Sequence, residues 1–499
     1  MNRIIITETP PIVLAIVMAI IAFAIILAIP FLPAAPAIAG TSEPVVAHTR
    51  DTRIGIVRGD TLFVTRAKVI AAALEGNEML AASGAMKDAA NAEALGAWRG
   101  FLPQVQLSEF FLRSDDALSS FGFKLQNRSV TQMDFHPDLL NNPGQTDNFI
   151  TRLQLLQPIF NGGMGYYGKQ AADAAGRAAA YKHQRAAESI RFHGHQAYEG
   201  LKLALTFTRV METAVASAEG HVRQAQSMVD NEMATEADLL QAKVYLSGLK
   251  QKLIETRNYV AIAGEHIKLL TAVNSELPLS VDADESEVLA NEDWADPGPA
   301  STTGRSDLLA RLEEAKAAGK MVGVARGAVL PHVNLSLQRD YFDLEDPFGT
   351  NAKSWSLGVY ATMGFGVGNL GEIKKAKAQH RAARHMADFE SRQAGVQFRQ
   401  AWLEANAARE MVQVAEEAVI AARESLRIVT NQYREGLAGM VDLLDTQAAA
   451  TMAEGNLVQS RHDFNLGLAN LEFSGAGSSS FGSTDGSAQI SHENPADAE

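Results

Sequence analysis

The same heptad seam occurs twice in this chain, 204 residues apart, and that leaves few folds open. Apolar residues step alternately by four and three from Ala197 to Val229 and again from Ala401 to Tyr433, interrupted in the first stretch only by Thr208. A stripe held that long is the mark of coiled-coil packing, in which each seam residue sits in a hole of a facing helix. Both seams lead into Asp-Leu-Leu, in "EMATEADLLQAK" (232–243) and "GLAGMVDLLDTQ" (436–447), and resume at Leu239 and Leu443. The polar breaks "DNEMAT" (230–235) and "REGLAG" (434–439) turn each half into an antiparallel helical hairpin. A first arm from about Tyr166 to Asp230 would be roughly 100 Å long at ~1.5 Å per residue. A helix that long with one narrow apolar stripe requires neighbours.

A second duplication precedes the hairpins. "LPQVQLS" (102–108) matches "LPHVNLS" (330–336), and the chain then alternates: Val333, Leu335 and Leu337 against Asn334, Ser336 and Gln338. Further alternating runs set Phe149, Leu153, Leu155 and Ile159 against Arg152 and Gln154, and Trp355, Leu357, Val359, Ala361 and Met363 against Ser354, Ser356 and Thr362. Period-two segments of about ten residues, apolar on one face, fit transmembrane β-strands. Each half therefore reads helix (about 61–98 and 306–328), strand, strand, long helix, shorter helix. Four strands cannot close a barrel, and open edges are not tolerated in lipid, so closure needs several copies; three give twelve strands.

The N-terminus, with Arg3, an apolar run from Ile12 to Ile29 and Ala37-Ile38-Ala39, reads as an export signal over residues 1–39. Beyond it no run is long enough for a membrane helix. There is no cysteine, which excludes thiol catalysis and disulfides, and the net charge of −14 argues against a nucleic-acid partner. No nucleophile elbow, H-E-x-x-H or P-loop lysine is present, so an enzyme has no residues to stand on. His193 and His195 in "FHGHQ" do not share a helix face, and neither a metal nor a cofactor is expected. Residues 40–274 and 306–473 are the two internal repeats, joined by an acidic linker (275–305) and followed by a Ser/Gly-rich tail (474–499).

Over residues 50–473 the chain resembles the TolC family of outer-membrane efflux and secretion ducts. The resemblance rests on the strand-to-helix junction "LLQPIFNGGMGYYGKQA" (155–171), the twin strand starts and the two Asp-Leu-Leu tips. It implies an α+β membrane protein: a trimeric twelve-stranded transmembrane β-barrel in the outer membrane of a Gram-negative bacterium, continued into the periplasm by an α-helical coiled-coil barrel. It implies outer-membrane lipid, a periplasmic adaptor and an inner-membrane pump as partners, for efflux or type I secretion. The other function considered is a periplasmic coiled-coil adaptor without its own channel, which would lack alternating strands.

The family places its aperture at the hairpin tips. "MVDLLDTQ" is similar to the segment carrying its aspartate rings, which assigns Asp442 and Asp445 to the pore and Asp238 and Tyr433 to the gate. The gate arginine of the family is replaced by Ala438, and Glu232 stands where a glycine is usual. Independently of the family, Asp238 and Asp442 fit helix-start acids favoured by the dipole.

Overall fold

The computed structural model describes residues 53–281 and 302–475. The export signal, most of the acidic linker and the tail lie outside the described residues. The first described segment is a hairpin, β1 (Gly55–Arg58) and β2 (Thr61–Val64), in place of the helix expected from about residue 61. Helix α1 (Arg66–Gly76) follows, and Asn77 breaks it from α2 (Glu78–Gly96) by accepting the N–H groups of Met79 and Leu80 with its side chain. An asparagine that caps a new helix ends the old one.

Strand β3 (Gln104–Ser114) leads through α3 (Ala117–Gln126) and the short α4 (Pro137–Asn141) to β4 (Thr146–Asn161). Then come the first hairpin, α5 (Met164–Asp230) and α6 (Glu236–Thr271), and β5 (Leu279–Val281). The second half supplies α7 (Ser306–Gly327), β6 (His332–Asp343), β7 (Ala352–Thr362) and the second hairpin, α8 (Val367–Arg434) and α9 (Met440–Ser474). None of these helices is long and apolar enough to cross a membrane.

The four long strands form one antiparallel sheet in the order β3-β4-β6-β7. Its register sets Val105, Leu155, Leu337 and Leu357 in one row and Gln106, Gln154, Gln338 and Ser356 in the next. Adjacent rows point to opposite faces, so one face is apolar and the other polar. The polar face holds the ion pair of Arg152 with Asp340 at 2.9 Å. The apolar face is bare: Leu357 and Val359 are 60% and 68% exposed. An adaptor lacking such strands is not this molecule. The alternation expected to reach Ile159 is broken by a β-bulge, because Pro158 pairs with Asn334 but Phe160 with Val333, leaving Ile159 over. Proline has no N–H for the ladder and is tolerated where the ladder breaks.

The junction from β4 into α5 needs its two glycines. Gly162 and Gly163 have φ of 64° and 80°, and a Cβ on Gly162 would lie 2.2 Å from the Gly327 carbonyl oxygen. Away from the sheet the core is thin and linear. Small seam residues (Ala218 and Ala225; Ala401, Ala405 and Ala408) are buried where the hairpin arms meet, and Thr208 satisfies its hydroxyl on the Ala204 carbonyl at 2.8 Å. A thicker cluster forms where β5 pairs with β2: Ile54, Leu62, Val64, Tyr198, Leu201 and Ile267 are buried together. The beginning of the expected linker thus belongs to the folded body.

Candidate functional site at the hairpin tips

Both tips are built by the same backbone device. Helix α5 ends in a turn in which the Met233 N–H donates to the Met228 carbonyl at 2.8 Å, with Glu232 at φ 56°. Helix α8 ends with the Leu437 N–H on the Gln432 carbonyl at 2.8 Å and Gly436 at φ 74°. This is the left-handed C-terminal turn that glycine favours. Glycine meets the demand at one tip and glutamate at the other, with roughly 1 kcal/mol of strain for the side chain.

The aspartates start the return helices. Asp238 Oδ2 accepts the Thr235 N–H at 3.0 Å and the Thr235 hydroxyl at 2.8 Å. Asp442 Oδ2 accepts the Gly439 N–H at 3.0 Å. Asp442 and Asp445 are both exposed, whereas Asp238 is half-buried.

Tyr433 is 3% exposed, packed with Ala225, Leu239, Ala242, Met440 and Leu443 from all four arms, and Ala438 closes over this cluster. Burial raises the Tyr433 phenol pKa, and the Asp238 carboxylate raises it further. Its hydroxyl has no hydrogen-bond partner among the described residues. The structure therefore brings Asp238 close to Tyr433, but the carboxylate is spent on its own helix start. With Ala438 in place of the expected arginine, apolar packing holds the tips together.

Two polar features of the tips escaped the sequence reading. Tyr245 on α6 has its pKa raised by burial and then by Asp445, which places that aspartate beside the first hairpin. One level up, Gln447 Oε1 accepts from the Ser217 hydroxyl at 2.6 Å and lies 3.2 Å from His221 Nε2, joining α5 to α9. Burial lowers the His221 pKa, the Gln447 contact opposes this, and Arg434 lowers it further. Ser217 and His221 stand one turn apart beside the α5 seam, and Gln447 is a polar residue inside that of α9; that mismatch was the available signal.

A sheet with one bare apolar face, continued by two long helical hairpins, defines an outer-membrane channel fold. Comparison with known proteins agrees. Residues 302–474 match the family model for outer membrane efflux proteins. The outer membrane efflux protein BepC of Brucella suis biovar 1 (strain 1330) is 24% identical over 324 residues, 62% of this chain and 68% of BepC. Among solved structures, the CmeC outer membrane channel of Campylobacter jejuni superposes with a TM-score of 0.70 at 17% identity, covering 86% of this chain and 92% of CmeC. The outer membrane protein VceC of Vibrio cholerae gives 0.68 at 18%, covering 83% and 96%. The second half of the chain matches the outer membrane efflux protein model and the whole has the fold of these channels; its place is the Gram-negative outer membrane.

Proposed function

We propose that three copies of this chain form a continuous export duct, a twelve-stranded barrel in the outer membrane above a twelve-helix tunnel, serving a tripartite efflux pump or a type I secretion system. The sheet carries this reading. Among the described residues its edges β3 and β7 are unpaired while its apolar face is exposed, and a lipid-embedded sheet has no water to satisfy those edges.

The internal duplication, with residues 40–274 and 306–473 as its halves, supports a specific contact between copies. Asn91 meets Gly176 and Gly319 meets His380, each at 3.2 Å from the position a glycine Cβ would take. The second contact is the first one shifted by 228 residues on one helix and 204 on the other. The same shifts carry the α5–α7 contacts onto α8 and the α2 of a neighbouring copy. Lys182 with Glu314 becomes Met386 with Met86; Arg185 with Asp307 becomes Phe389 with Met79; Glu188 with Ser306 becomes Arg392 with Glu78. The residues so paired match chemically. Met79 and Met86 are 78% and 72% exposed, Met386 and Phe389 about half exposed, and Arg392 and Glu78 carry opposite charges.

At the periplasmic end Asp442 and Asp445, one turn apart, contribute six carboxylates around one opening, enough to favour cations and repel anions. Asp238 and Tyr433 belong to the closure of that aperture. The tips face a periplasmic adaptor and, through it, an inner-membrane pump. The chain carries cargo and catalyses nothing.

The test uses the absence of native cysteine. Met86→Cys with Met386→Cys should give disulfide-linked copies in outer membranes, alongside a trimeric native mass and single-channel conductance in bilayers. A monomeric mass refutes the assembly. A trimer without the crosslink refutes only this register.

A further inference from the structure

Residues 115–145, between β3 and β4, fold into a body of their own. Helix α3 is tied to the turn Gln132–Phe135 by the edge-to-face rings of Phe121 and Phe135, 5.6 Å apart, and by the Lys124–Asp134 ion pair at 2.6 Å. Asp134 also accepts the Thr131 N–H and hydroxyl, and these contacts, Lys124 first, hold its carboxyl at about 2.

It is fastened to the sheet at one end. Asn127 Nδ2 donates to Asn148 Oδ1 at 2.8 Å, and Asn148 Nδ2 donates to Gln126 Oε1 at 3.1 Å. Asn148 is fully buried under this contact. The register decides the side: Asn148, Ile150, Arg152 and Gln154 share one face, and it is the polar one. The segment therefore lies on the inner side of the wall, at the end of the sheet remote from the long helices.

Twelve strands spaced ~4.8 Å apart and tilted ~40° make a wall of roughly 12 Å backbone radius. Three helices side by side, each ~10 Å across, need an opening of roughly 22 Å, so three such segments inside a wall ~24 Å across fill it. The faces they turn away from the wall are apolar: Leu118, Leu125, Met133 and Phe135 are all exposed in the single chain. Such a patch calls for a partner surface, and the same residues of the other two copies supply it.

We propose that residues 115–145 of three copies form an outer cover that closes the extracellular mouth, separate from the aspartate aperture, and that it lifts by releasing the Asn127–Asn148–Gln126 latch. The proposal rests on the three-copy assembly above. The latch is built to release. Asn127 Oδ1 is buried without a partner among the described residues, so lifting gives a stranded acceptor water while the Phe121–Phe135 unit moves intact.

The full-length protein in intact cells tests this. Ser356→Cys puts a thiol on the polar face of β7, to be labelled from outside by a maleimide too bulky to cross the membrane. Labelling should be slow with the cover in place and about tenfold faster with Asn127→Ala and Asn148→Ala added. It should be at least as fast when residues 117–143 are replaced by a short Gly-Ser turn. Leu118→Cys should form disulfides between copies. Equal labelling in all three Ser356→Cys proteins, or no Leu118→Cys disulfide, in a trimer of verified mass overturns the cover alone. A monomeric mass overturns the assembly and the cover together.

Discussion

Asp238 and Asp442 make the same hydrogen bond in two different helices: each turns a carboxylate oxygen back to 3.0 Å from the backbone nitrogen three residues earlier, Thr235 in α6 and Gly439 in α9. Both acids therefore anchor the start of a return helix. Only Asp442 also has Asp445 one turn further on, exposed and without such a duty.

That division separates charge from capping. Asp442→Asn with Asp445→Asn keeps an oxygen acceptor for the Gly439 N–H and removes six charges per trimer. Cation selectivity in planar bilayers should fall severalfold, and block by polyvalent cations should weaken, since a ~8 Å Debye length screens such close charges only in part. Thermal stability should change little. Asp442→Ala should in addition cost about 1 kcal/mol at the helix start. Unchanged selectivity in the double variant would leave these residues as helix-start acids only.

The two tip turns predict opposite responses. Glu232→Gly relieves a left-handed side chain and should stabilise the first tip by up to about 1 kcal/mol. Gly436→Ala should destabilise the second by a similar amount. Hydrogen-exchange protection of residues 226–240 and 430–444 reads the two effects separately.

Tyr433 offers a test of what holds the tips closed. Its hydroxyl is buried and has no partner among the described residues, so Tyr433→Phe should be neutral or slightly stabilising, with unchanged conductance. Tyr433→Ala should cost about 3–5 kcal/mol locally, through the cavity left among Leu239, Met440 and Leu443, and should raise the open probability. Opening by Tyr433→Phe would instead mean that the hydroxyl bonds across the assembly.

Acid should loosen the helical body. The pKa of His195 is lowered to about 4 by burial and by Arg66 and Arg191, and burial lowers that of His221 too, against 6.5 for a free imidazole. A depressed folded pKa favours the neutral ring in the fold. Its contribution to stability is complete above about pH 6.5 and is lost as pH falls through the folded value, near 4 for His195. The melting temperature should fall across that window, and the decline should flatten in His195→Gln and His221→Gln. A slope unchanged in both variants would assign the acid loss elsewhere.

The sequence by itself determined whatever repeats at short range. Seams stepping by four and three, alternating strands, paired Asp-Leu-Leu tips and the polar breaks before them were legible because each is set by helix or strand geometry within a few residues. Tertiary structure decided what depends on residues far apart. β2 finds β5 more than two hundred residues later, Pro158 sits at a bulge visible only against β6, Gln447 is buried because Ser217 and His221 lie opposite, and Asn148 reveals which face the 115–145 segment covers. A local period fixes which residues share a face. What that face meets is settled by the free energy of closing long loops against burying polar groups with partners, and no short stretch of sequence contains both sides of that balance.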